Sequence, residues 1–91
     1  MRKFNIVITM LKNSQPPRYH VAIHPWDYSG GAAPYREYAS FDEFVQGLLP
    51  LGFKESEISS INAELIGTGK ALVLHHDISE DGAEGFGWAK S

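Results

Sequence analysis

The chain has 91 residues, 43% of them apolar and 21% charged, with a formal net charge of −3 and no cysteine. That balance describes one globular domain with a modest core, and it rules out a disordered polyelectrolyte. Without cysteine there is no disulfide framework, thiolate zinc site or cysteine nucleophile, and no apolar run approaches the roughly 18 residues of a membrane span. The stretch 4–11 is short and interrupted by Asn5 and Thr9, unlike a signal peptide. The expected setting is therefore cytoplasmic, with no membrane partner.

Over residues 3–11, Phe4, Ile6, Ile8 and Met10 alternate with Lys3, Asn5, Val7 and Thr9, the period of a strand with one face more deeply buried. Asn13, Ser14, Pro16 and Pro17 supply turn chemistry for a loop over 12–17. A second strand follows over 18–24, with Tyr19, Val21 and Ile23 on one face and His20, Ala22 and His24 on the other. A hairpin is the simplest connection. Pro25 stops this strand, and residues 25–39 read as a long irregular loop in which glycines and prolines separate Trp26, Tyr28, Tyr35, Arg36 and Tyr38. Loops of this length are uncommon in small domains and often functional. Either the rings fold back to finish the core, or they form a partner-binding surface, where Trp, Tyr and Arg are enriched.

Ser40 and Glu43 have the spacing of a capping box, which predicts a helix from Phe41. Phe41, Phe44, Val45, Leu48 and Leu49 lie on one stripe of it, and Pro50 and Gly52 end it. A second helix is predicted from Glu55, with Ile58, Ile61, Leu65 and Ile66 inward and Asn62 and Glu64 toward its polar side. Gly67 and Gly69 supply the left-handed closing residue, and residues 70–77 read as a strand. Gly67, Thr68, Gly69 and Lys70 are not a phosphate-binding loop: the order is helix, loop, strand, and Ala71 follows the lysine. From residue 79 onward the pattern fits either a fourth strand carrying Phe86 and Trp88 or a helical turn capped by Ser79. The expected architecture over residues 1–91 is a single α+β domain, in which an N-terminal hairpin and a strand after two consecutive helices form a small antiparallel sheet. The order is β-β-α-α-β, with both helices on one face. Such a sheet leaves edges and an incompletely covered face, so a homodimer is expected.

Metal chemistry is the alternative reading. Asp77, Ser79, Asp81 and Gly82 match the opening of a calcium loop, with Glu84 as a further oxygen, although Trp88 stands where an EF-hand needs its bidentate Glu. His75 and Asp77 share a strand face and, with a histidine from a neighbouring strand, would make a three-ligand zinc-type site. His20 and His24 lie too far apart along one strand to chelate together.

Charge is uneven, +3 over residues 1–38 and −6 over the remainder. The helical region holds only Lys54 against Asp42, Glu43, Glu55, Glu57 and Glu64, which argues against nucleic acid as a partner. The leading functional expectation is a non-enzymatic module that binds a protein partner or a second copy of itself through Trp26, Tyr28, Tyr35, Arg36 and Tyr38. The runner-up is a calcium or zinc site at His75, Asp77, Ser79 and Asp81.

Overall fold

A computed structural model describes residues 2–12, 15, 17–27 and 33–88. The elements run β1 (Arg2–Leu11), β2 (Arg18–Pro25), β3 (Tyr35–Tyr38), α1 (Phe41–Leu48), a 3-10 turn (Leu49–Leu51), α2 (Glu55–Thr68), β4 (Leu72–Ile78) and α3 (Glu80–Phe86). The strands form one antiparallel sheet in the order β3-β2-β1-β4. This is an α+β fold of the expected class, with the helices between β3 and β4 laid on one face. No helix among the described residues is long and apolar enough to cross a membrane.

The two helices begin where their capping chemistry places them. Ser40 Oγ accepts from the Glu43 N–H at 3.2 Å and opens α1, while the Glu57 carboxylate accepts from the Lys54 N–H at 2.9 Å and opens α2. Gly69, at φ +69°, closes α2 by donating its N–H to Leu65 C=O. The Lys70 N–H is then drawn onto Thr68 Oγ, so β4 starts at Leu72 and not at residue 70.

Period-two burial builds the sheet side of the core: Phe4, Ile6 and Ile8 from β1 and Tyr19, Val21 and Ile23 from β2 all face the helices. Phe44 and Leu48 of α1 and Ile58, Ile61 and Leu65 of α2 meet them, while Phe41, Val45 and Leu49 pack at the margin. Ile66 departs from the predicted stripe and is 58% exposed. Its place is taken by Leu51 and Phe53, which the segment between the helices carries into the core. Tyr19 joins the layers, stacking on Phe44 at 4.3 Å between centroids and donating its hydroxyl to Asn62 Oδ1 at 2.8 Å. Asn62 thus belongs partly to the inner face of α2, where the residue pattern alone placed it outward.

One element differs from the sequence-based expectation, and another decides between its two alternatives. β3 lies inside the stretch read as an irregular loop, pairing Tyr35 to Tyr38 with Ala22 to Tyr19. At the other end, α3 replaces the fourth-strand alternative: Ser79 Oγ accepts from the Gly82 N–H at 3.1 Å, and the helix buries Ala83 and Phe86. Burying that phenylalanine offsets the roughly 1 kcal/mol cost of each helical glycine. Trp88 then sets its ring edge-on to Phe4, 6.0 Å away at 84°. Asn13, Ser14 and Pro16 of the hairpin loop, Tyr28, Gly30 and Gly31 of the aromatic stretch, and residues 89–91 lie outside the described residues.

Candidate functional site: the open face of the sheet

Among the described residues no helix covers the second face of the sheet, and the register states which side chains meet there. Tyr35 stands opposite Ala22, Ala22 opposite Val7, and Val7 opposite Val73, an apolar band across all four strands. Beside it runs a polar row, His24, Asn5 and His75, and beyond that Lys3 stands opposite Asp77. On the other flank Glu37 stands opposite His20 and His20 opposite Thr9. His20 lies flat against Tyr35 at 4.8 Å and 20°, and the Arg18 to Glu37 ion pair at 3.8 Å closes that corner.

Three large side chains on or beside this face remain largely in solvent: Trp26 is 60% exposed, Tyr35 62% and Val73 60%. Trp26 is held by its backbone, donating to Lys3 C=O at 3.1 Å just beyond the end of β2. In the middle of the polar row, Asn5 Oδ1 is buried and accepts no hydrogen bond. A buried acceptor with no donor costs about 1–3 kcal/mol.

The five residues expected to bind a partner do not form one surface. Trp26 and Tyr35 belong to the open side. Strand alternation sends Arg36 and Tyr38 to the helix side, and Tyr28 is outside the described residues. The Tyr38 ring meets Phe44 edge-on at 6.3 Å and lies directly against Gly47, where any side chain would collide with it. Burial pushes the pKa of its hydroxyl above the tyrosine norm, an effect the Arg36 charge partly offsets; burial also raises that of Tyr19. Arg36 reaches across to α3, donating from Nε to Phe86 C=O at 2.9 Å and from Nη2 to Gly85 C=O at 3.0 Å, with its guanidinium carbon 5.5 Å above the Phe86 ring. Together with Glu43, Gln46 and Asp81, these two residues line an open groove of about 440 Å³.

The residues of the metal alternative are likewise dispersed. His75 and Asp77 lie on the open face of β4, Ser79 Oγ is committed to the cap of α3, and Asp81 lines the groove on the helix side. Across β1 the neighbour of His75 is Asn5, and His24 is one strand further, roughly 9.5 Å away at ordinary strand spacing. Among the described residues no group of three His, Asp or Glu side chains is placed to hold a metal.

Gly82, read from sequence as the turn glycine of a cation loop, has a packing role. It lies in the first turn of α3, and a Cβ there would come within 2.6 Å of the Pro50 carbonyl oxygen. Alanine normally stabilises a helical glycine position by about 1 kcal/mol. Here Gly82→Ala is expected to destabilise by about 1–3 kcal/mol, because α3 must move off the 3-10 turn. A denaturation midpoint that rises in this variant would contradict the contact.

His20, His24 and Ala22 were legible as one face from alternation, but Val7 and Val73 become neighbours only through pairing of distant strands. Alternation put Asn5 on the less buried face with Val7, but nothing in the sequence marked its side-chain oxygen as buried. No protein-family model, curated protein or solved structure matches the chain.

Proposed function

We propose that this chain is a non-enzymatic protein-interaction module whose docking surface is the open face of the sheet, with Trp26 and Tyr35 as its anchors. The observation that carries this reading is the apolar band of Tyr35, Ala22, Val7 and Val73, uncovered by any helix among the described residues and bordered by Trp26. Exposed aromatic rings in a patch with a polar rim are the composition of an interface centre. The reading takes the partner to be a protein and the module to be a cytoplasmic homodimer, a setting suited to a chain without cysteine.

Alanine at both Trp26 and Tyr35 tests it. Each anchor truncation is expected to weaken partner binding about 30-fold, corresponding to a hot-spot cost of about 2 kcal/mol. Partner recovered on the immobilised chain should fall accordingly, with the denaturation midpoint unchanged. Equal recovery with the double variant would show that the two rings bind no partner, and its unfolding would show that they serve the fold instead.

A further inference from the structure

The two edges of the sheet are built differently. β3 has four residues, follows Pro34, and carries Arg36 and Glu37, the latter paired with Arg18. Short length, charge and a flanking proline are the usual means of keeping an edge from pairing with another chain. β4 is seven residues long and has neither lysine nor proline; Asp77 is its one acidic residue.

The direction of its unpaired backbone groups follows from the ladder. The Trp26 N–H donates to Lys3 C=O, which makes the Lys3 and Trp26 positions a hydrogen-bonded pair. Antiparallel alternation then turns the odd residues of β1 toward β2 and the even ones, Phe4, Ile6 and Ile8, toward β4. Their partners His76, Leu74 and Leu72 face inward along the ladder, so Val73, His75 and Asp77 direct N–H and C=O away from the sheet. Gly52 approaches the Asp77 carbonyl and shelters that end. Val73 and His75 remain as an open rung pair on either side of Leu74.

We propose that this edge docks a second copy of the chain, two β4 strands pairing antiparallel about an axis through Leu74 and joining both sheets into one of eight strands. The register is self-complementary. Val73 exchanges both backbone hydrogen bonds with His75 of the second copy, and His75 with its Val73. The two half-buried Leu74 side chains meet on the helix side. No like charges face each other, because the one anion of the strand, Asp77, lies beyond the paired rungs. Since the β3 edge is guarded, the contact closes as a dimer and does not propagate into a fibre. The inference is independent of the aromatic-face reading, and it sets two open faces side by side on the same surface.

Sedimentation velocity on the full chain, from low micromolar to roughly 1 mM, tests it. The expected result is a shift from the 10.1 kDa monomer toward twice that mass. Val73→Pro and His75→Pro each remove an outward N–H while leaving the ladder to β1 intact, and each should raise the dimer Kd by at least about tenfold. Trp26→Ala with Tyr35→Ala should leave dimerisation unchanged. A wild-type monomer throughout, or dimers that survive both proline changes but not the aromatic ones, would overturn the proposal. Should the proline variants fail to fold, amide hydrogen exchange of the wild type decides. Protection of the Val73 and His75 amides that grows with concentration supports the docking edge, and fast exchange at every concentration refutes it.

Discussion

Phe44→Ala is expected to cost about 3–5 kcal/mol, a large share of the 5–15 kcal/mol that holds a domain of this kind together. Phe44 is fully buried and stands where α1 meets two strands of the sheet. Its ring stacks on Tyr19 of β2 at 4.3 Å and 13°, meets Tyr38 of β3 edge-on at 6.3 Å, and touches Phe41 of its own helix at 6.3 Å. Truncation leaves a cavity that none of these rings can fill, because Tyr19 is tethered to Asn62 and Tyr38 is seated on Gly47. Urea unfolding should show a lower midpoint with an unchanged slope. Phe41→Ala, on the half-buried margin of the same cluster, should cost less than half as much. Equal losses from the two variants would mean that the fully buried position of Phe44 adds nothing over the margin of the cluster.

Arg36→Ala is the second large effect, and it is expected to act on stability and on α3 together. The last turn of α3 has no basic residue, so its C-terminal carbonyls at Gly85 and Phe86 are satisfied from β3 by the Arg36 guanidinium. Hydrogen bonds to a charged donor contribute about 1.5–3 kcal/mol each when shielded. With one of the pair in solvent, the expected total loss is about 2 kcal/mol. The released helix should free Trp88 from Phe4. In a Trp26→Phe background the emission of Trp88 then shifts to the red before global unfolding. Arg36→Lys should recover little of this, since an ammonium cannot span both carbonyls in the guanidinium geometry. An unshifted Trp88 spectrum in Arg36→Ala would show that Phe86 alone anchors the helix.

What was readable from the residues was whatever a local rule dictates. Ser40 with Glu43 marked the start of α1, the spacing of Phe44 and Leu48 marked its inner stripe, and Gly69 marked the end of α2. β3 escaped because its inward positions are Arg36 and Tyr38. Arg36 stays exposed while its guanidinium reaches α3, and Tyr38 is half-buried through a phenol ring, so they leave no apolar alternation to detect. The same two residues explain why the expected aromatic set divided. A two-residue period sends Tyr35 to one side of the sheet and its neighbours to the other. α3 was ambiguous because three glycines oppose a helix while Ser79 promotes one, and only the burial of Ala83 and Phe86 decides between them. The Asp77, Ser79, Asp81 pattern arose from a strand end followed by a helix cap, two features that favour short oxygen-bearing side chains for reasons unrelated to cations.

The position of β1 between β2 and β4 governs the order in which the fold can close. Its bonds to β2 span a short turn, whereas its bonds to β4 join Arg2 with Ile78 and Ile8 with Leu72. β1 therefore holds one completed side and one vacant side until residues 72–78 are available to pair with it. Such sequence-distant closure slows folding, and it leaves the most apolar strand exposed to improper pairing in the interval.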